Sequence, residues 1–246
     1  MPQSHSNHDL ETLIAGAAHM VAFTGAGISA ESGIPTYRGD DGLWNKYDPA
    51  KFADIDHFHA DPSCYWRFFR EVRYPLIAGA KPNPAHLALA NLEQKGPLRA
   101  VITQNIDGLH QAAGSRRVLE LHGNTRRIIC LNCGKVYAMN EVFAMLDRAL
   151  PPVCAGCRGA LKPDVVFFGE RLPLDVLEAS AREVSACDLL VVIGSSLVVQ
   201  PAATLPLKAK EAGARIVIVN RDPTPLDGLA HMIFRENAAK VFASWA

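Results

Sequence analysis

Residues 20–33 read Met20-Val21-Ala22-Phe23-Thr24-Gly25-Ala26-Gly27-Ile28-Ser29-Ala30-Glu31-Ser32-Gly33, an apolar run that passes directly into a glycine-rich turn. A run with no polar alternation reads as a strand covered on both faces. Two glycines at its end permit a sharp turn into a helix, leaving backbone N–H groups free to approach a pyrophosphate at the helix N-terminus. The match to G-x-G-x-x-G breaks at the third glycine, where Ala30 stands, a replacement the fingerprint tolerates. No clear acidic residue ends a second strand about 20 positions on. For this loop alone, a tight turn without a ligand therefore stays open as the alternative.

Working outward, short apolar runs recur at 100–103, 118–121, 165–168, 189–193 and 216–219, each ending in a polar or glycine-rich loop. Helical patterns occupy 10–19, 61–77, 84–95, 140–149, 174–186 and 201–212. Alternation of this kind predicts an α/β fold, a Rossmann-like parallel sheet with helices on both faces. Ligands of such sheets bind beyond the carboxyl ends of the strands, which is where the unusual residues of this chain collect. The 246 residues carry 25 Lys and Arg against 25 Asp and Glu. That balance gives no global field toward nucleic acid or an anionic membrane. Residues 1–9 are polar, lack the apolar run of a secretory signal, and read as a short tail. No apolar stretch approaches the roughly 20 residues that span a bilayer, so a soluble, cytoplasmic protein is expected.

Four of the six cysteines form two C-x-x-C pairs, Cys130 with Cys133 and Cys154 with Cys157, separated by 20 residues. This spacing matches a four-cysteine zinc ribbon, and four protein ligands leave no open position, so the metal is structural. A redox role for the C-x-x-C pairs is the competing reading. The cysteines lie in a segment that breaks the alternation and contains Pro151 and Pro152. It is read as a small module, 124–161, inserted in a larger domain of 1–123 and 162–246. Arg126, Arg127, Lys135, Arg158 and Lys162 lie close in sequence to offset the thiolate charge of about −2. Cys64 and Cys187 have no partner at ligand spacing and read as core thiols.

Two further clusters follow predicted strands. In Thr103-Gln104-Asn105-Ile106-Asp107-Gly108-Leu109-His110, amide and carboxylate groups at a strand end can read ribose hydroxyls and a carboxamide, or merely cap a helix. In Leu119-Glu120-Leu121-His122-Gly123-Asn124, a neutral imidazole at a strand end suits general-base work, although a lone histidine is more often structural.

With the extension Ile34-Pro35-Thr36-Tyr37-Arg38-Gly39, the glycine loop resembles that of the sirtuin family, GAGxSxxSGIPxFRG. The resemblance covers about 21–242. It implies that the chain is an NAD-dependent protein lysine deacetylase with one structural zinc. By the same resemblance Gly25, Ala26, Gly27, Glu31, Thr36, Tyr37 and Arg38 hold the cofactor, with Tyr37 and Arg38 toward the nicotinamide. Gln104 contacts the nicotinamide ribose, and Asn105, Ile106 and Asp107 form the nicotinamide pocket. Gly194, Ser195 and Ser196 contact phosphate or ribose, Asn220 the adenosine ribose, and Ala238 completes the cofactor set. His122 is the catalytic base, with Asn105 beside it. The acyl-peptide cleft is lined by Val165, Phe167, Phe168, Gly169, Glu170 and Val198, between which the acceptor peptide lies as a strand. The implied reaction joins the acyl oxygen to the ribose carbon and expels nicotinamide. His122 then takes a proton from the ribose diol so that its hydroxyl attacks the amidate carbon, and water releases free lysine and O-acetyl-ADP-ribose.

Sirtuins that prefer acidic acyl groups carry a Tyr-x-x-Arg pair that can grip a carboxylate. Here Phe69 and Val72 are aligned with those positions, and an apolar pocket for acetyl or similar neutral groups is expected. Thr36 and Tyr37 depart from the family's more usual Asp and Phe, which touches fine contacts only. Three other readings remain: an NAD-dependent ADP-ribosyltransferase, a non-catalytic NAD sensor, and a zinc-ribbon nucleic-acid binder. Neutral charge argues against the last.

Overall fold

The computed structural model describes residues 6–40 and 42–246. The tail expected at 1–9 lies outside the described residues up to His5. From there the expectation fails: a helix runs over Asn7–Ala15, started by Ser6, whose side chain accepts the Asp9 N–H in a reciprocal capping box. That box satisfies two of the free N–H groups of the first turn.

Six parallel strands form the main sheet: β1 (Met20–Thr24), β2 (Leu98–Thr103), β3 (Val118–Glu120), β7 (Leu189–Ile193), β8 (Arg215–Val219) and β9 (Met232–Phe234). They lie in the order β3-β2-β1-β7-β8-β9. Chain order reverses between β1 and β7, the crevice at which a doubly wound sheet binds its ligand. Every residue of β1 and β7 is buried, as continuous apolar runs require of strands covered on both faces. One core cluster packs Leu10, Ile14 and Leu89 against one face of the sheet, and another packs Val184, Leu205 and Ala209 against the opposite face. Among the described residues no helix is long and apolar enough to cross a membrane.

A second sheet contains β4 (Gly123–Cys130), β5 (Val136–Ala138) and β6 (Leu161–Val165), in the order β5-β4-β6 and antiparallel. This corrects the reading of 165–168 as a strand of the parallel sheet. The strand ends at Val165, and the apolar run beyond it is a loop. The third core cluster joins Ile128, Tyr137, Val142 and Leu161 to Phe58, Tyr65, Trp66 and Phe69. Helical segments from 55–73 thus share the core of the cysteine segment. Trp66 fastens them, donating its indole N–H to the Leu161 carbonyl at 2.8 Å. The helix expected over 61–77 is interrupted by a π-helical turn at Phe69–Arg73.

All four sulfurs of the C-x-x-C pairs lie within 4.8 Å of one another. Cys130 and Cys157 approach to 3.4 Å and Cys133 and Cys154 to 3.7 Å, and none is in a disulfide. Sulfurs around a tetrahedral zinc at about 2.3 Å stand roughly 3.8 Å apart, so the cluster suits one structural zinc. The basic residues near it in sequence mostly serve elsewhere. Arg126 pairs with Glu120, Arg127 with Asp164 and Lys162 with Glu170. Metal analysis is expected to find one zinc per chain. Cys133→Ala, by deleting a ligand, should lower Tm by about 10 °C, since each kcal/mol moves a chain of this size roughly 2–4 °C. Absence of stoichiometric zinc would sink the assignment.

Candidate active site

The glycine loop and the loop after β7 meet backbone to backbone. Gly27 N donates to the Gly194 carbonyl at 2.8 Å, and Gly25 N to that of Ile193 at 3.0 Å. A Cβ on Gly27 would stand 2.6 Å from Gly194 Cα, and Gly194 itself has φ +62°. Side chains are excluded here by contact, which explains the glycines independently of any ligand. The turn Ala26–Ser32 is 3-10 helical, not α-helical, and ends at Gly33 with φ 86°.

Above this contact, one cavity runs along the carboxyl edge of the sheet. Its walls include Gly25, Ala26, Gly27, Glu31, Thr36, Tyr37, Arg38, Gln104, Asn105, Ile106 and His122. Gly194, Ser195, Ser196, Asn220 and Ala238 line it as well, as do Val165, Phe167, Phe168, Gly169 and Glu170. Twenty-one of the residues singled out by sequence thus face one space. Asp107 and Val198 do not. The Asp107 carboxylate accepts from Ser29 Oγ at 2.8 Å and from Leu109 N at 2.9 Å. Burial pushes its pKa up despite those bonds. Val198 is exposed on the rim, and its neighbours Val199 and Gln200 line the cavity instead.

Hydrogen bonds join the polar groups to the two glycine loops. Asn105 Nδ2 donates to the Gly25 carbonyl and to Ser29 Oγ, both at 3.1 Å. Gln104 Nε2 donates to Ser195 Oγ at 2.8 Å. The Glu31 carboxylate accepts from Ala239 N at 3.1 Å and Asn237 Nδ2 at 3.2 Å, so it ties the helix Ala238–Val241 to the glycine loop. His110 is fully enclosed beside Thr24 and His86, and burial holds both imidazoles neutral, His86 down to about 4.

His122 sits between these parts. Its Nδ1 lies 3.0 Å from the Gln104 carbonyl. A carbonyl only accepts, so the proton belongs on Nδ1 and the lone pair on Nε2. Burial disfavours the imidazolium and lowers the pKa, more than the Gln104 bond raises it. The His122 carbonyl accepts the Val166 N–H at 2.9 Å, which fixes the apolar loop against the histidine backbone. Gly123 makes that approach feasible: its φ is +71°, and a Cβ would fall 2.0 Å from the Asp164 carbonyl oxygen.

Sequence reading missed Arg73, which also lines the cavity. Its residue is 6% exposed, and its guanidinium lies 5.6–5.9 Å from the ring centroids of Tyr37, Trp44 and Phe68. Among the described residues Arg73 Nε has no hydrogen-bond partner. Phe69 and Val72, aligned with the acyl-selective positions, do not reach the cavity. Only the density of aromatic residues at 65–69 hinted that this helix packs toward a site.

The arrangement can hold an elongated ligand across the switch point, and it presents an unprotonated imidazole nitrogen to the cavity. A family model described as the Sir2 family matches residues 25–201. The chain is 52% identical over 216 residues to NAD-dependent protein deacylase 2 of Archaeoglobus fulgidus, covering 87% of this chain and 85% of that protein. It superposes with a TM-score of 0.92 and 42% identity on a structure described as Sir2 with p53 peptide and NAD+, over 98% of this chain and 97% of the other. A Sir2 structure with deacetylated p53 peptide and 3'-O-acetyl ADP ribose gives 0.93 and 43%, over the same shares. The match takes in the switch-point glycines, the 104–107 loop, His122 and both cysteine pairs, and the chain belongs to the Sir2 family.

Proposed function

We propose that the protein removes acetyl groups from protein lysines at the expense of NAD, forming nicotinamide, free lysine and O-acetyl-ADP-ribose. The observation that carries this is the single cavity in which the switch-point loops, His122 and the 165–170 wall face one another. NAD, when bound, supplies a ribose carbon whose bond to nicotinamide breaks as the acyl oxygen bonds to it. The rest is positioning and one proton transfer by the protein. Gln104, Asn105 and Ile106 hold the nicotinamide ribose end, and Gly194, Ser195, Ser196 and Asn220 the opposite end. His122 Nε2 accepts a proton from a ribose hydroxyl, while its Nδ1–H stays on Gln104 and fixes the ring. In this reading the peptide lies as an added strand along the 165–170 wall. The relative from Archaeoglobus fulgidus bears a deacylase name, and the related structures hold NAD, peptide and an acetylated ADP-ribose. These support the same reading. The protein's six unpaired cysteines suit a reducing compartment, the cytoplasm.

Incubating the protein with NAD and an acetyl-lysine peptide should release nicotinamide, free lysine and O-acetyl-ADP-ribose in equal amounts. Nicotinamide release that ignores the acyl group would favour ADP-ribosyl transfer instead. His122→Ala is expected to retain NAD binding and to slow deacetylation by about 10²–10⁴-fold, the usual contribution of a general base. Because burial lowers the His122 pKa, the base form persists below the ordinary value of about 6.5. The acid limb of kcat/KM against pH should accordingly fall below that value; a limb above it would contradict the assigned environment.

Acetyl is the proposed acyl group, and on one peptide deacetylation should outrun desuccinylation. A guanidinium in the cavity nonetheless attracts a carboxylate, and a charged hydrogen bond is worth about 1.5–3 kcal/mol. Arg73→Met should therefore lower the ratio of desuccinylation to deacetylation by about tenfold. An unmoved ratio would leave Arg73 to the aromatic rings alone.

A further inference from the structure

Behind the peptide wall lies a charged pair that the chemistry itself does not use. The Lys162 side chain, on β6, is 3% exposed, and a buried ammonium must be offset by partners of its own. Its Nζ donates to the Val165 carbonyl at 2.6 Å and to a Glu170 carboxylate oxygen at 2.9 Å. It also lies 4.4 Å from the centroid of the Phe167 ring. A longer contact, 3.4 Å, reaches the Pro163 carbonyl.

The first three partners all belong to the 165–170 segment. The same Glu170 oxygen accepts the Phe167 N–H at 2.7 Å, and Glu170 N donates to the Phe167 carbonyl at 3.0 Å. One ammonium thereby ties the start of the segment to its end. Elsewhere the segment is held by backbone bonds, Val166 N to the His122 carbonyl, Phe168 N to that of Ala53 and Ile55 N to that of Phe168, and by the Phe167 ring packed against Phe58 and Tyr65. Lys162 does not line the cavity, so its influence passes through the wall rather than by contact.

We propose that Lys162 is a positioning residue for the acyl-lysine peptide, holding Val165 and Glu170 so that the wall presents its edge to an extended chain. The proposal rests on the deacetylase reading of this wall. The loops assigned to NAD hang from β1, β2, β7 and β8 of the other sheet, and among the described residues Lys162 makes no hydrogen bond to them. Loss of its charge should thus separate the two substrates: peptide binding weakens and NAD binding does not.

The test uses the full chain, a fluorescent acetyl-lysine peptide for anisotropy, and steady-state kinetics with each substrate varied. Lys162→Met should raise the peptide Kd and KM by about tenfold, with KM for NAD within about twofold of wild type. Lys162→Arg, which retains the charge, should recover most of the loss. Glu170→Gln, at a partly exposed position, should shift the peptide constants in the same direction, and it decides the matter if Lys162→Met does not fold. Peptide constants within about twofold of wild type in the folded variants would overturn the proposal, as would a parallel rise in both KM values. Wild-type protein inert toward acetyl-lysine would refute the deacetylase reading. Active wild type with unmoved variants would remove only the role of Lys162.

Discussion

The site depends on one close contact between two backbones. At the carboxyl edge, Gly27 and Gly194 approach until not even a methyl group fits between them, and the Gly194 carbonyl accepts the Gly27 N–H. This contact lies between β1 and β7, where the chain order of the sheet reverses. Helices leave to opposite sides there, and a crevice opens above the join. Ser195 then stands where Gln104 can bond it, and Asn105 where it can reach the Gly25 carbonyl. The polar loop after β2 is thus indexed against both glycine loops. A bulkier residue at Gly27 or Gly194 would alter every one of these distances before it touched a ligand.

His122 is set by a second, shorter chain of dependence. The ring answers to the Gln104 carbonyl and the backbone to Val166 N, so the main-sheet side orients the imidazole while the small-sheet side holds its main chain. Gly123 permits this by leaving room for the Asp164 carbonyl. The small sheet is therefore part of the catalytic geometry and not an appendage. Its strand β6 passes from the zinc-ligand end, where Leu161 pairs with Cys130, through Lys162 to the peptide wall in five residues.

Much of this was legible in the sequence because the signals were local. The glycine loop, the paired cysteines and the alternation of apolar runs with helical patterns each rest on a few adjacent residues. The 165–168 run was misread because an apolar stretch looks alike whether it is a buried strand or the lining of a cleft. What precedes it, Lys162-Pro163-Asp164, resembles a break in structure, yet these residues pair antiparallel with β4. The first helix, expected from Leu10, starts at Asn7, a start that Ser6 and Asp9 announce within a polar stretch read as tail. Arg73 and Lys162 could not have been read locally. Each is an isolated cation in sequence, and its meaning comes from rings and carbonyls that only folding assembles.

The bond from Glu31 to Ala239 has an implication for how the protein is made. Glu236, Asn237 and Ala238 wall the cavity opened by the first glycine loop, more than 200 positions earlier. Synthesis supplies all four cysteines of the cluster and His122 about 80 residues or more before that wall. The groove is consequently not fully walled until residues 236–238 have been made.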